Sequence, residues 1–366
     1  MVNSNLADIY KIAQKFNLTG DIASVAPIGN GHINDTFLIC TDCDDEKFVL
    51  QRINHHIFKS PEQLIENINR VIKHLRRKIT KAGGDTSRQT LKFMPVKDEN
   101  SAYKYMYIAE CGHYYRVYQY IKNTVTYNKA TPTLFHQSGL AFGLFAAQLS
   151  DFDASSLHEV IPDFHNTKSR FDALMQSAHN DKSGRANLVK SMVEFAKLRE
   201  SLTTMLSCEN LPTRVTHNDT KLNNVMFDKQ SGEAICVIDL DTVMSGLALY
   251  DFGDAIRFGA STADEDEQDL LKVSLDLTLF EAFTSGYLTH MRSVLTDDEI
   301  NLLAASAKIM TFECGMRFLK DYIDGNVYFK ADYPEHNLTR AKTQFKLVED
   351  IEQKFELMQA IVRKYI

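Results

Sequence analysis

A short polar segment near the middle of the chain combines a carboxylate, a cation and an amide at fixed spacing. Asp219 is followed by Lys221 two positions later and by Asn224 five positions later, within THNDTKLNNVMFD. This spacing is typical of a phosphoryl-transfer loop, in which the Asp accepts the proton of a hydroxyl and the Asn binds Mg²⁺. A lysine near that Asp can place a compact charge beside the transferred phosphoryl group. We therefore assign catalytic roles to Asp219 and Lys221 and a metal-binding role to Asn224.

An apolar segment after this loop ends in two further carboxylates. Val225 to Phe227 and Ile235 to Ile238 have the pattern of β-strands, and the turn residues between them predict a short hairpin. Asp239 follows the second strand, where its carboxylate can reach a magnesium ion on the β- and γ-phosphates. If the chain stays extended, Asp241 projects to the same side and assists the metal or contacts the acceptor. The predicted metal ligands are thus Asn224, Asp239 and Asp241.

The residues Asp251, Phe252 and Gly253 spell the DFG sequence that supplies a metal ligand in protein kinases. Here they lie after the strand that already provides Asp239. We therefore predict that Asp251 is a structural residue that bonds the backbone near the catalytic loop.

Near the N-terminus, two glycines stand between predicted strands. Gly29 and Gly31 bracket Asn30, which lets backbone amides approach a phosphate closely. The alternative is an ordinary glycine-containing hairpin. The position of this loop before a strand at Lys47 to Ile53 favours a loop that covers a nucleotide.

The sequence predicts two lobes and an α+β fold. The N-terminal lobe, residues 1–121, combines a small antiparallel sheet with one main helix from Ser60 to Ile79. Its later strand candidates are Thr90 to Val96, Tyr103 to Ala109 and Tyr114 to Ile121. The change of period after Ile121 marks a hinge, at which we expect the backbone of Gln119, Tyr120 and Ile121 to bind adenine.

The C-terminal lobe, residues 122–366, is predicted to be mostly helical. The helices are expected at Leu134 to Leu149, Thr167 to Ser177, Leu188 to Leu206, Glu265 to Gly286, Thr296 to Tyr322 and His336 to Tyr365. The acidic run at 264–267 can attract a cationic substrate, but Thr262 and Glu265 have the spacing of a capping box, which favours a helix start.

Composition limits the functional classes. The chain has 366 residues, of which 44% are hydrophobic and 24% charged, as in a soluble globular enzyme. The net charge of −7 and the lack of a basic stripe argue against a nucleic-acid partner. Six scattered cysteines suit free thiols in a reducing cytosol, and Cys40 and Cys43 are better explained by a turn than by a metal site. No apolar run reaches the ~18 residues of a membrane span, and we expect the protein to be cytoplasmic. We also expect it to be a monomer.

These motifs together resemble the aminoglycoside phosphotransferase and choline kinase superfamily, which has a protein-kinase-like fold and acts on small molecules. The segments GHIND, RVTHNDTKLNNVMFD, DFGDAIRFGAST, ECGMRFLKDYIDGNVYF and YPEHNL are similar to the N-acetylhexosamine 1-kinases. The resemblance implies phosphorylation of the anomeric hydroxyl of N-acetylglucosamine or N-acetylgalactosamine, with ATP and Mg²⁺. It also implies that His32, Arg317 and Tyr328 contact the sugar beside Asp219.

One departure concerns phosphate binding. Superfamily members commonly carry a lysine on the third strand, yet FVLQRIN offers Gln51 at that position, with Arg52 next to it. We assign both residues to the nucleotide site, with Arg52 as a substitute cation if the strand is twisted or bulged.

Two alternatives remain from the sequence. A kinase of the same superfamily can act on choline, an aminoglycoside, homoserine or another hydroxyl, although the absence of Trp weakens a quaternary ammonium pocket. A nucleotide-binding pseudokinase is supported by the missing strand lysine. The presence of Asp219, Asn224 and Asp239 together argues against it.

Overall fold

Apolar residues that alternate along the first third of the chain form one antiparallel sheet. Its strands are β1 (Ile22–Pro27), β2 (Asp35–Thr41), β3 (Lys47–Ile53), β4 (Tyr107–Ile108) and β5 (Tyr114–Gln119). They lie in the order β1-β2-β3-β5-β4. A computed structural model describes residues 6–28, 33–43, 46–207 and 210–366. Strand β3 has the bounds that the sequence predicts.

The two faces of this sheet pack against different helices. Leu50 of β3 is buried in a small core beneath helix α1 (Leu6–Ala13). Gln51 lies on the opposite face because successive strand residues alternate. Ile53, on the same face as Gln51, joins the main core with helix α2 (Pro61–Lys81).

Helix α2 connects the sheet to the rest of the molecule. Its apolar positions repeat at helical spacing, and a proline occupies the first turn, where it costs no hydrogen bond. The fully buried Asn67 donates from its amide nitrogen to the carbonyl oxygens of His158, at 2.8 Å, and Val243, at 3.1 Å. A buried amide satisfied in this way fixes the helix against two segments of the C-terminal half.

Helices dominate the remainder of the chain. They are α3 (Pro132–Gln148), α4 (Thr167–Asn180), α5 (Lys190–Lys197), α6 (Ala248–Gly259), α7 (Leu277–Met291), α8 (Asp297–Asp324) and α9 (His336–Arg363). Strands β6 (Thr124–Val125), β8 (Val225–Asp228) and β9 (Ala234–Val237) form a three-stranded sheet, and β7 (Arg214–Thr216) pairs with β10 (Met244–Gly246). The predicted α+β class and the β8–β9 hairpin are confirmed. None of the helices in the described part of the chain is both long and apolar enough to cross a bilayer.

The predicted helix from Glu265 to Gly286 is wrong over its first half. Thr262 does not cap a helix there, because its backbone nitrogen donates to Ser274 and its hydroxyl also binds carbonyl oxygens in this loop. Glu265 pairs instead with Arg257, at 2.8 Å. The acidic run is therefore a loop, and α7 begins later, capped by the side chain of Asp276.

Other predicted elements are shorter than expected. The predicted helix from Leu188 to Leu206 is divided into α5 and two short 3-10 turns. Residues Thr90 to Val96 contribute only isolated bridges, and the candidate from Tyr103 to Ala109 reduces to β4.

Glycines allow α3 and α7 to cross in close contact. A Cβ atom added at Gly143 would lie 2.6 Å from the carbonyl oxygen of Tyr287. The rings of Phe142 and Phe145, on the same helix, lie edge-on to the ring of His217, with centroids 5.5 and 5.9 Å away. The close contact of α3 with α7 therefore helps to place the two phenylalanine rings that pack on His217, two residues before Asp219.

We expect Gly143→Ala to lower the free energy of unfolding by about 1–3 kcal/mol, because the methyl group meets helix backbone that must move. The measurement is chemical denaturation of the variant and of Leu144→Ala, which removes an exposed side chain from the next position. Equal stability of Gly143→Ala and the wild type would show that the two helices tolerate a wider spacing.

Candidate active site

The catalytic loop is fixed by one carboxylate from helix α6. Asp251 accepts hydrogen bonds from the backbone nitrogens of His217, at 2.8 Å, and Asn218, at 2.7 Å. Its own carbonyl oxygen accepts the hydroxyl of Thr220 at 2.5 Å. The structural role predicted for Asp251 is confirmed. The residues on both sides of Asp219 in the chain, Asn218 and Thr220, are hydrogen-bonded to Asp251.

The backbone on each side of the cleft adopts a left-handed conformation. Asn218 has φ of 63° and Asp239 has φ of 60°, a region that Asn and Asp enter more readily than other residues with a side chain. Asn218 donates to the carbonyl oxygen of Thr242 at 2.8 Å, and Thr242 donates to that of His217 at 2.6 Å. These bonds join the catalytic loop to the segment that carries Asp239.

Asp219 has a cation and an amide as immediate partners. One of its carboxylate oxygens lies 2.8 Å from Nζ of Lys221, and the other accepts from Nδ2 of Asn224 at 2.9 Å. Burial alone would raise the pKa of Asp219, but Lys221 and Asn224 outweigh it and hold the pKa below its usual value. Asp219 is therefore an ionised hydrogen-bond acceptor at neutral pH.

Asn224 and Asp239 offer oxygen ligands that suit Mg²⁺. The backbone nitrogen of Ile238 donates to the carbonyl oxygen of Asn224 at 2.9 Å, which brings the two residues together. The side chain of Asp239 is exposed to solvent on one side, while protein groups surround it on the others. Its partial desolvation, and next the carboxylates of Asp241 and Asp219, raise its pKa to about 7. The site is therefore short of positive charge, as expected where a divalent cation binds.

No three His, Cys, Asp or Glu side chains among the described residues are grouped so as to hold a metal ion by themselves. Magnesium usually takes one or two protein ligands and completes its shell with phosphates and water, so the predicted magnesium site stays a prediction.

The extended geometry predicted through Asp241 is wrong, because Leu240–Thr242 forms a 3-10 turn. The carboxylate of Asp241 is 5% exposed and lies 2.6 Å from Nη2 of Arg116. Its other oxygen accepts from Nδ2 of Asn34 at 2.7 Å. The metal-binding role of Asp241 stays a prediction, and the structure gives this residue a buried ion pair.

Gln51 and Arg52 lie on opposite faces of strand β3. Gln51 lies on the face of Ile53, where its side-chain oxygen accepts from Arg116 on the neighbouring strand. Arg52 pairs with Asp35 and stands opposite Tyr115 on the face that packs on α1. The sequence could not identify Arg116, because its link to Gln51 depends on strand register.

The backbone of the predicted hinge is partly occupied. The nitrogen of Gln119 donates to the carbonyl oxygen of Lys92 at 2.9 Å, and that of Tyr120 donates to Lys47 at 3.0 Å. The nitrogen of Ile121 has no acceptor in the described ranges. A buried N–H group normally has a partner, and adenine binding at Ile121 stays a prediction.

Arg317 and Tyr328, the predicted sugar contacts, lie in one cluster of α8 and the following loop. The guanidinium of Arg317 lies 5.2 Å from the ring centroid of Phe164 and 5.5 Å from that of Phe329. It has neither an ion pair nor a hydrogen bond within the described residues. Asp321 fixes the loop by accepting from the backbone nitrogens of Tyr328, at 2.8 Å, and Phe329, at 3.0 Å.

A second arginine in this cluster was missed by the sequence analysis. Arg170 has a buried Nε atom with no hydrogen-bond partner among the described groups, although Nη2 donates to the carbonyl oxygen of Phe164. Burial, and next the charge of Arg317, lower the pKa of Arg170. The nearby Glu313 does not neutralise both arginines by contact, because its oxygens bind His165 and Thr167.

This cluster adjoins the catalytic loop through His165. Its Nε2 atom lies 3.4 Å from the carbonyl oxygen of Asn218, the residue before Asp219. Gly29, Gly31 and His32, also predicted as site residues, lie outside the described residues.

Comparison with known proteins identifies relatives of this fold. The sequence profile of the phosphotransferase enzyme family (APH) matches residues 24–282. A microcompartment-associated aminopropanol kinase has a TM-score of 0.61 at 12% identity, covering 97% of this chain and 99% of that one. A spectinomycin phosphotransferase in complex with ADP and spectinomycin has a TM-score of 0.58 at 12% identity, covering 96% of this chain and 98% of that one. A choline kinase from Cryptosporidium parvum Iowa II has a TM-score of 0.54 at 13% identity, covering 98% of each chain. The likeness confirms the predicted protein-kinase-like fold.

We expect Asp251→Asn to destabilise the protein by about 1–3 kcal/mol and to lower kcat, because an amide NH₂ would face a buried backbone N–H and leave it unpaired. Thermal melting and steady-state kinetics measure the two effects. Asp264→Asn serves as control, since that carboxylate is exposed and only pairs with Lys129 at 3.8 Å. Wild-type stability and turnover in Asp251→Asn would contradict the anchoring role.

Proposed function

The chain belongs to the phosphotransferase enzyme family, and on this premise we propose that it is an ATP-dependent kinase of a small molecule. The proposed acceptor is the anomeric hydroxyl of an N-acetylhexosamine, and the products are the sugar 1-phosphate and ADP. The observation that carries the kinase part of this proposal is the arrangement of Asp219, Lys221 and Asn224 in a loop held by Asp251.

The proposed chemistry uses Asp219 as the acceptor of the hydroxyl proton. The sugar oxygen forms a bond to the γ-phosphorus while the bond from that phosphorus to the ADP oxygen breaks. Phosphoryl transfer has a loose transition state, so it needs orientation of the nucleophile more than a strong base. An ionised Asp219 with a lowered pKa suits that role.

Positive charge near the phosphates has two proposed sources. Burial opposes the charged form of Lys221, but Asp219 and Asp254 outweigh it and raise the pKa of Lys221, so its ammonium stays charged. Asn224 and Asp239 would hold Mg²⁺, which when bound neutralises charge on the β- and γ-phosphates.

The charge of the acceptor region supports an uncharged acceptor. Arg170 and Arg317 place two guanidinium groups in one cluster, near the single ionised carboxylate of Glu313. The positive charge that exceeds this carboxylate disfavours a cationic acceptor such as choline or an aminoglycoside. The hydroxyl and acetamide oxygens of an N-acetylated sugar are acceptors for such donors.

Aromatic groups in the same cluster also suit a sugar. Tyr328 is 59% exposed and stands edge-on to Phe329, whose ring lies near Arg317. An exposed aromatic ring beside free guanidinium donors combines an apolar surface with polar contacts. The segments around Arg317 and Tyr328 are among those that resemble the N-acetylhexosamine 1-kinases.

Two other functions stay open to the test below. Another uncharged hydroxyl compound would use the same machinery with a different pocket. A pseudokinase would bind nucleotide without turnover, but it has no chemical need for an oriented carboxylate beside a lysine.

We expect ATP and Mg²⁺ to convert N-acetylglucosamine or N-acetylgalactosamine into a sugar 1-phosphate, detected by phosphorus NMR. The methyl glycoside of the same sugar is the matched control, since its anomeric oxygen is blocked and it should give no product. Asp219→Asn should lower kcat by about 10²- to 10⁴-fold and keep nucleotide affinity. Turnover of choline, homoserine or an aminoglycoside alone would contradict the assigned acceptor, and absence of any turnover would favour the pseudokinase.

We expect Arg317→Met and Arg170→Met each to raise the KM for the sugar by about 10- to 100-fold, the effect of a lost charged hydrogen bond. The KM for ATP should change little, because the cluster lies on the acceptor side of Asp219. Arg292→Met is the control, as this residue is exposed at the end of α7. A rise in the KM for ATP alone would place these arginines at the wrong substrate.

A further inference from the structure

A cross-strand pair occupies the place where the strand lysine of related kinases is expected. Gln51 of β3 stands directly opposite Arg116 of β5 in the antiparallel register. The two side chains therefore share one face of the sheet, the face of Ile53 and Tyr118 that joins the main core.

Arg116 is a buried cation with a fixed direction. Its side chain is 1% exposed, and its guanidinium carbon lies 5.2 Å from the ring centroid of Tyr118. Nη2 contacts Asp241 at 2.6 Å, and Nε and Nη2 donate to the side-chain oxygen of Gln51 at 3.1 and 2.9 Å. The remaining nitrogen, Nη1, is buried without a hydrogen-bond partner among the described groups. The Asp241 oxygen that faces Nη2 is also buried without a hydrogen-bond partner among these groups, so the pair of Arg116 and Asp241 has hydrogen-bonding capacity that the described residues do not use.

The contact with Arg116 fixes the orientation of the Gln51 amide. Guanidinium groups only donate, so the oxygen of Gln51 must face Arg116 and its NH₂ must face away. That NH₂ group lies 3.3 Å from the hydroxyl oxygen of Thr36, on β2. Only one of its two N–H bonds is needed there, which leaves one donor for a ligand in the cleft.

The neighbouring arginine on β3 does not supply this charge. Arg52 is on the other face of the strand, where it pairs with Asp35. Glu66 of helix α2 pairs with Arg70 and His158, so it does not balance Arg116. Asp241 is the carboxylate that balances Arg116.

We propose that Gln51 and Arg116 together replace the strand lysine in nucleotide binding. Gln51 donates a hydrogen bond to a phosphate oxygen, and Arg116 holds that amide in place and supplies the positive charge behind it. Arg116 is thus a positioning residue with an electrostatic role toward a nucleoside triphosphate. This inference rests on the proposed function, since it assumes that a nucleotide binds in the cleft.

The test is to move the charge from one strand to the other. Arg116→Gln removes the cation, and Gln51→Lys/Arg116→Gln returns it at the position of the strand lysine. The affinity for Mg²⁺ and a non-hydrolysable ATP analogue is measured by calorimetry, without an acceptor, beside thermal melting. We expect Arg116→Gln to weaken binding by about 10- to 100-fold and the double variant to recover most of it. Arg292→Gln is the surface control.

A third variant separates binding from folding. In Gln51→Glu, the new carboxylate pairs with Arg116 but opposes the phosphates, so we expect an equal or higher melting temperature together with weaker nucleotide binding. If Arg116→Gln does not fold, Gln51→Leu decides by the loss of the amide donor, and wild-type affinity in that variant would overturn the proposal.

Two other outcomes also count against it. Wild-type affinity in a folded Arg116→Gln variant would make Arg116 purely structural. Loss of affinity in Arg52→Gln, with none in Arg116→Gln, would assign the charge to Arg52. If the proposed acceptor is wrong, these binding measurements still hold, because they are made without an acceptor. If the wild-type protein binds no nucleotide, the proposed function itself is contradicted.

Discussion

The carboxylate of Asp251 is the constraint on which the active site depends. Its two oxygens accept the backbone N–H groups of His217 and Asn218, so a side chain from helix α6 decides where the catalytic loop lies. Helix α6 is itself fixed closely, because a Cβ atom at Gly253 would lie 2.5 Å from the carbonyl oxygen of Ser306 in α8. The packing of the helical core therefore reaches the loop that carries Asp219 through the short side chain of Asp251 and its two hydrogen bonds.

Charge balance decides what this site can bind. In the described part of the chain, Lys221 and Arg116 are the lysine and arginine that lie near the carboxylates of Asp219, Asp239 and Asp241. Asp219 pairs with Lys221 and Asp241 pairs with Arg116, so Asp239 has no ion pair among the described residues, and its pKa is raised to about 7. A divalent ion would neutralise Asp239 and still carry charge toward a phosphate. The two ion pairs thus leave the carboxylate of Asp239 unpaired among the described residues, close to Asn224, the second predicted magnesium ligand.

Local sequence signals predicted the parts of this site that are contiguous in the chain. The catalytic loop, strand β3 and the β8–β9 hairpin each have their pattern within a few residues, and all are present. The segment before α7 misled the analysis because capping residues at Thr262 and Glu265 are instead satisfied by distant groups. Arg116 and Arg170 were missed for a related reason. Each is an ordinary arginine in the sequence, and only strand register or helix packing gives it partners.

The proposed acceptor region is built from different elements than the proposed phosphate region. Arg170 and Phe164 lie at the start of α4 and before it, and Arg317 lies on α8. Tyr328 lies in a loop that Asp321 holds through backbone N–H groups, much as Asp251 holds the catalytic loop. Each carboxylate anchors its own segment, and His165 connects the two through its contacts with Glu313 and the carbonyl oxygen of Asn218. The loop around Asp219 predicts phosphoryl transfer but carries little information on the acceptor, so the proposed acceptor depends on the Arg170 and Arg317 cluster.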